Sequence, residues 1–345
     1  MKRILLTGAT GSIGVQALRE LCERKNLYET IIFDKKTDLS VKTLEPFKKY
    51  IKIIYGDIRD KQTLIEAVKE VDFVLHFAAV IPPLADYNQK LAYEVNVNGT
   101  KNLVLALKEY SPNAFLLYSS SVSVYGDRLE GEDIHINDPL IPSVGDYYAE
   151  TKIKAEKIVS ESGLRYSIFR LSGVMGPRPG QDNKKIDPIF FHMPLRTRIE
   201  IVTTRDVGYG VVKAIEKEEE LNGNIYNFAG GKKCQIIYYN FLKRVFGELG
   251  INIDHFPKYS FAEQNFHCGY YKDSDVLNDI LHFQRDDIDS YFEWTKPKVN
   301  PLTKLFYRIF SRVITKKLAK ESDVLNAMKH NNKHLIKRFF REYLN

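Results

Sequence analysis

The stretch Ile4-Leu-Leu-Thr-Gly8-Ala-Thr-Gly11-Ser12-Ile13-Gly14 opens the chain and decides how the rest is read. A short apolar strand runs into a glycine-rich turn, and the turn runs into a helix with apolar spacing over residues 13–24. In such a strand-turn-helix, glycine lets the backbone approach a pyrophosphate while the free amides of the helix N-terminus attract its charge. Gly8, Gly11 and Gly14 are the candidates for that cradle, with Ser12 and Ile13 beside them at the helix start. The spacing is Gly-x-x-Gly-x-x-Gly, not the Gly-x-Gly-x-x-Gly of the general dinucleotide fingerprint.

Outward from this turn, strand patterns at residues 30–34, 52–55, 73–77, 114–119 and 167–170 alternate with helical patterns at 61–69, 89–109 and 147–161. Together with the first strand at 3–7, the alternation predicts an α/β chain built on a doubly wound parallel sheet. A composition of 44% hydrophobic and 28% charged residues over 345 positions suits one or two soluble domains. Cys22, Cys234 and Cys268 are widely spaced and odd in number, which fits neither a disulfide framework nor a zinc site. No metal is expected, and a reducing cytoplasm is the simplest compartment. No apolar run reaches transmembrane length.

The segment Asp146-Tyr-Tyr148-Ala-Glu-Thr-Lys152 carries the chemistry. On a helix the phenol of Tyr148 and the ammonium of Lys152 share one face, so the charge can ease deprotonation of a phenol whose pKa is ordinarily ~10. Ahead of them, the apolar run Ala114-Phe-Leu-Leu-Tyr-Ser-Ser-Ser121 can deliver a serine hydroxyl to the same cleft. Asp34 closes the second strand, where a carboxylate accepts hydrogen bonds from ribose hydroxyls and repels a 2′-phosphate. That favours NAD, although Lys35 and Lys36 follow directly and keep NADP as the alternative.

With the glycine turn and Tyr148/Lys152 in place, the chain resembles the short-chain dehydrogenase/reductase superfamily, in particular its extended branch of epimerases, dehydratases and 3β-hydroxysteroid dehydrogenase-like enzymes. Gly56-Asp57-Ile58-Arg59-Asp60, His76-Phe77-Ala78-Ala79, Val95-Asn96, Val124-Tyr-Gly126 and Thr204-Arg-Asp-Val207 carry the resemblance in order. It implies a Rossmann-type nucleotide-binding domain over residues 1–171 with a returning segment at about 201–230, and a smaller substrate lobe from 172–200 and 231–295. It also implies Ser121, Tyr148 and Lys152 as the catalytic set. Asp57 and Ile58 would flank the adenine, Phe77, Ala78 and Ala79 would pass beside the cofactor, and Asn96 would order the neighbouring helix. A homodimer is expected by analogy.

Departures from the family pattern narrow the chemistry. Related dehydratases place an acid and a base directly after the catalytic serine or threonine, where this chain has Val122 and Ser123. Many epimerases read Arg-x-x-Asn after the sixth strand, where this chain reads Arg170-Leu-Ser-Gly173. Three functions stand: an NAD(P)-dependent oxidoreductase acting on a secondary alcohol or ketone of lipid-like character, a nucleotide-sugar epimerase with tightly held NAD, and a non-catalytic dinucleotide sensor.

Residues 296–345 form a basic tail with 13 Lys or Arg against 3 Asp or Glu, a formal +10. Since the whole chain carries +7, the remainder is net acidic. Leu302, Leu305, Phe306, Ile309, Phe310, Val313 and Leu318 are read as one helical face, and Leu335, Ile336, Phe339, Phe340 and Leu344 as a second helix. Such helices either pack on the body or a partner subunit, or lie peripherally on an anionic membrane. Nucleic acid is not expected, because no base-reading motif accompanies the charge.

Overall fold

A computed structural model describes residues 1–177 and 187–341. Its strands are β1 (Lys2–Thr7), β2 (Tyr28–Asp34), β3 (Ile51–Tyr55), β4 (Phe73–His76), β5 (Phe115–Ser121), β6 (Arg165–Leu171), β7 (Gly173–Met175), β8 (Arg198–Thr203), β9 (Asn224–Phe228) and β10 (Gln235–Ile237). A seven-stranded sheet runs in the order β3-β2-β1-β4-β5-β6-β9, with every pairing parallel. The strand order reverses between β1 and β4, and an open α/β sheet leaves its ligand crevice beyond the carboxyl ends of the strands at such a point. The glycine turn after β1 therefore stands at the mouth of that crevice.

The sheet is apolar on both faces because helices cover both. Alternate strand residues point to opposite sides. Ile4, Leu6, Ile32, Leu75 and Leu117 meet the helices Ser12–Glu23 and Thr204–Lys213 through Leu18, Leu21, Val207 and Val211. Leu5, Ile31, Val74 and Leu116 face the other way, toward the helices Lys61–Val68, Thr100–Tyr110 and Tyr147–Ser160, which contribute Leu64, Leu103, Leu107 and Val159. Two dry layers thus hold the strand ends in fixed register.

The six strands expected from the pattern form, and β9 in the returning segment adds the seventh at the edge beside β6. The single helix expected at 89–109 is divided. It comprises Gln89–Tyr93, a wider π turn at Glu94–Gly99, and Thr100–Tyr110. The π turn holds Asn96, whose contacts are described below.

A smaller sheet, β10-β8-β7, and the helices Tyr238–Leu249 and Ile288–Thr295 build the second lobe around Tyr238, Phe241, Phe246 and Phe292. The tail does not behave as one unit. Helices Asp323–Lys329 and Lys333–Phe339 bury Val324, Ala327, Ile336 and Phe339, with Phe340, against Phe191 and Ala262 of the lobe. Leu344 lies outside the described residues. In contrast, helices Pro301–Ile309 and Ser311–Leu318 pack through Tyr307, Ile314 and Leu318, so Leu318 belongs to the packed side and not to the face on which the pattern placed it. No helix among the described residues is long and apolar enough to cross a membrane.

Candidate active site

Steric demand fixes the glycine cradle. Gly8 has φ +71°, and a β-carbon there would lie 2.7 Å from the Ala78 amide nitrogen. At Gly14 it would lie 2.2 Å from the Gly8 carbonyl oxygen and 2.7 Å from the Ala9 α-carbon. Gly11 donates to the Gly8 carbonyl at 3.2 Å and stays exposed. The helix begins at Ser12, so its first amides face the turn. Ile13 turns inward to pack on the core layer under β1.

A cleft of about 430 Å³ opens beside this turn, lined by Gly8, Gly11, Asp34, Asp57, Ile58 and the loop Phe77–Ala79. Asp34 accepts from the Thr10 amide and hydroxyl, each at 3.0 Å, and from the Lys35 amide at 2.8 Å. Burial raises its pKa, while those hydrogen bonds oppose the rise. The Asp57 carboxylate is held at about 2, chiefly by the Arg59 guanidinium that donates to it at 2.6 and 2.9 Å. Ile58 is buried against Gly99, where a β-carbon would meet it at 2.7 Å.

Asn96 stands behind the cleft as a clamp. It accepts from the Val80 amide at 2.7 Å and donates to the Val80 carbonyl at 2.9 Å and to Thr151 Oγ1 at 3.0 Å. All of its amide contacts join the loop after β4 to the helix Tyr147–Ser160. At 1% exposure its side chain orders the site without lining it.

Asp146 caps that helix by accepting from the Ala149 amide at 2.9 Å, and it pairs with His267 at 2.7 Å. One turn on, Lys152 is 2% exposed and donates to the Ser119 carbonyl at 2.7 Å. Its Nζ lies 4.8 Å from the Tyr118 ring centre and 5.7 Å from that of Tyr148. Desolvation pulls its pKa down to about 7, against the opposing charge of Glu156. The Tyr148 phenol is shifted above its ordinary value, first by burial and then by the Asp146 charge, while a hydrogen bond with Ser121 lowers it. The spacing argument expected Lys152 to lower the phenol; in the folded chain burial outweighs such help, and Ser121 supplies the stabilising contact.

Two of the neighbouring serines are committed elsewhere and the third is buried. Ser119 donates to the His76 carbonyl at 3.1 Å, Ser120 donates to Glu156, and Ser123 is fully buried. Ser121 caps the turn that follows β5, accepting from the Ser123 amide at 3.2 Å. Of these serines it is the one that reaches Tyr148.

Two supports escaped the sequence reading. Glu156 and Arg170 form a buried ion pair at 2.8 Å, and Arg170 also donates to Tyr125 Oη at 2.9 Å and to the Ile136 carbonyl at 3.1 Å. Tyr125 in turn donates to Asn227 at 2.7 Å, so the network ties the helix Tyr147–Ser160 to β6 and β9. The i+4 spacing of Glu156 from Lys152 was the available signal, but its partner lies on another strand. The second support is His76, 1% exposed between Thr7 Oγ1 at 2.7 Å and Thr100 Oγ1 at 3.0 Å. Thr100 gives its own proton to the Asn96 carbonyl, so His76 Nε2 donates and Nδ1 accepts from Thr7. Burial and the Lys152 charge lower its pKa to about 3.

Near the start of the helix Tyr147–Ser160 lies a larger cavity of about 850 Å³, bounded by Tyr125, Arg128, Gly145, Asn265, Lys337 and Arg338. Arg338 Nε is buried with no hydrogen-bond partner among the described residues, and the guanidinium stands 3.6 Å from the β-carbon position of Gly145. Tail residues therefore form one wall of a cavity at the start of that helix. The three cysteines are free, and among the described residues no cluster of metal-ligating side chains occurs.

Comparison with known proteins places this arrangement. A 3-beta-hydroxysteroid dehydrogenase from Mycolicibacterium neoaurum is 32% identical over 187 residues, covering 50% of this chain and 48% of that protein. The match thus spans about half the length of that relative. A putative UDP-glucose 4-epimerase from Methanocaldococcus jannaschii is 31% identical over 249 residues, covering 68% of this chain and 78% of the relative. Among solved structures, a dTDP-glucose 4,6-dehydratase from Streptomyces venezuelae with NAD bound superposes with a TM-score of 0.71 at 22% identity, covering 92% of this chain and 99% of that one. Residues 4–229 match the family model described as the NAD dependent epimerase/dehydratase family, and the chain belongs to that family.

Proposed function

We propose that the chain is an NAD-dependent oxidoreductase that interconverts a secondary alcohol and its ketone, with Tyr148 moving the proton. The observation that carries this reading is the meeting of Tyr148, Ser121 and Lys152 at the carboxyl end of β5. The cradle fits the group: Gly8 and Gly14 leave room where any side chain would strike backbone, and Asp34 stands where ribose hydroxyls are received. NAD, when bound, supplies the hydride acceptor or donor. The chain's own residues do the rest. Ser121 holds the substrate oxygen by hydrogen bonding, and Tyr148 takes its proton on oxidation or returns it on reduction. Burial keeps the phenol protonated at rest, which suits it to donate. In the oxidising direction the nearby Lys152 ammonium offsets the phenolate charge. Asp34 favours NAD over NADP by repulsion of a 2′-phosphate.

The substrate class is drawn from the wall chemistry and the relatives. The aromatic second lobe and the similarity to a hydroxysteroid dehydrogenase support a lipid-like alcohol. A second reading, a nucleotide-sugar epimerase, is supported by the basic wall of the larger cavity, where Arg128, Lys337 and Arg338 would suit a diphosphate. Mass spectrometry of small molecules released on denaturing freshly purified protein separates the two. Near-stoichiometric NAD indicates a recycled cofactor and epimerase chemistry, and protein free of cofactor indicates an exchanging dehydrogenase. Tyr148→Phe tests the shared mechanism: turnover falls by about 10²–10⁴ while NAD binding persists. Turnover unchanged in that variant would refute it.

A further inference from the structure

The helices Pro301–Ile309 and Ser311–Leu318 are three-sided. One side faces the second lobe: Ser311 accepts from the Asn252 amide at 2.9 Å, Thr315 donates to the His255 carbonyl at 2.9 Å, and Tyr307 and Ile314 pack on the lobe's core. These contacts fix the rotation of the pair. A second side carries Leu302 (79% exposed), Leu305 (53%), Phe306 (53%), Ile309 (68%), Phe310 (44%) and Val313 (66%). Their spacing of i, i+3, i+4, i+7, i+8 and i+11 makes one continuous apolar strip, and the Phe306 and Phe310 rings touch each other with centres 4.6 Å apart. Scattered apolar residues on a surface need no explanation, but a contiguous strip of this kind marks a place of contact.

The third side tells what the contact is. Lys304, Arg308, Arg312 and Lys316 recur every four residues along the edge of the strip, and all are exposed. Between residues 296 and 320 there are eight Lys or Arg and no Asp or Glu. Among the described residues these four cations make no ion pair. An apolar strip edged by free cations is the complement of an anionic bilayer surface, where the apolar side chains enter the acyl boundary and the cations meet headgroup phosphates.

We propose that this helix pair docks the protein, in the plane of the interface, on a membrane surface that carries anionic lipid. The inference is independent of the substrate reading. It is tested with the full chain by co-sedimentation with vesicles of phosphatidylcholine alone or mixed with phosphatidylserine, alongside the variants Leu305→Glu/Ile309→Glu and Lys304→Glu/Arg308→Glu/Arg312→Glu. These positions are solvent-exposed, so both variants should keep the circular dichroism and unfolding midpoint of the parent. The expected result is partition onto the mixed vesicles about tenfold or more above that onto phosphatidylcholine, lost in both variants. Salt at ~1 M, which shortens electrostatic reach to about 3 Å, should also release the parent. Three outcomes overturn the proposal. One is a parent that stays in solution with the mixed vesicles. Another is binding that survives both sets of substitutions. The third is a lipid-free dimer, seen by light scattering, that dissociates in Leu305→Glu/Ile309→Glu, which would assign the strip to self-association.

Discussion

Replacing Lys152 with methionine should stabilise the fold at low pH while removing turnover. The ammonium is 2% exposed, and desolvation lowers its pKa to about 7, whereas an unfolded chain holds lysine at ~10.4. Between those values the unfolded state carries a proton that the native state lacks, so this group's contribution to stability rises with pH from about 7 to about 10. Below pH ~7 both states are charged and the native state bears the whole cost of burying the charge, on the order of 4 kcal/mol for a shift of about three pH units. Methionine has similar length and no charge. It forfeits the bond to the Ser119 carbonyl, a loss on the order of 1–2 kcal/mol. The net expectation is a variant more stable than the parent by about 2 kcal/mol at pH 6, an advantage that shrinks to near zero by about pH 8.5 and reverses above it. Urea unfolding of both proteins at several pH values between these limits measures the difference directly. If Lys152→Met changes stability equally at every pH, or destabilises most at pH 6, the ammonium is not a buried charge held against its preference and the reasoning fails.

Other consequences are independent of that one. Asp34→Ser should raise the NADP to NAD ratio of kcat/KM by about 10–100-fold, since it removes the repulsion and the charged hydrogen bonds at the end of β2; steady-state kinetics with both cofactors checks this. Gly14→Ala should lower the unfolding free energy by about 1–3 kcal/mol and weaken NAD binding, because the new β-carbon, 2.2 Å from the Gly8 carbonyl oxygen, must push the turn open; thermal melts and NAD titration report the two effects. His76 predicts acid lability. Its folded pKa of about 3 lies below the unfolded value of ~6.5, so stability falls by about 1.4 kcal/mol per pH unit on acidification through that window. His76→Gln should flatten this limb in pH-dependent unfolding, and an unchanged slope would show that other groups set it.

The buried supports explain why the helix Tyr147–Ser160 holds its position. Asn96 ties it to the loop after β4, Glu156 ties it to Arg170 on β6, and Asp146 fixes its first turn while pairing with His267 of the second lobe. Breaking a buried pair by removing one partner leaves an uncompensated charge, which is far costlier than the pair's net contribution. The helix is thus held from the central sheet and from the second lobe. His76, locked as the neutral tautomer between two threonines, fills the space beneath Lys152 without adding a second positive charge.

The sequence by itself determined six of the seven strands of the sheet, because strand and helix periods are local and the glycine turn marks where the first strand passes into a helix. It also determined that Tyr148 and Lys152 share a face, since helical spacing of four needs no long-range information. Which serine meets Tyr148 was a matter for the tertiary structure, because four serines crowd the end of β5 and its neighbourhood and only packing decides which hydroxyls are spent on His76 and Glu156. The same holds for the phenol's acidity. Proximity to Lys152 was legible, but the competing desolvation exists only once the cleft is closed around both groups. The tail shows the division most plainly: both halves read as basic amphipathic helices, yet Ile336 and Phe339 are covered by Phe191 and Ala262 while Leu302 and Ile309 stay exposed. Amphipathic spacing tells that a face seeks a partner. Whether the chain itself supplies that partner is decided by where the lobe's surface ends.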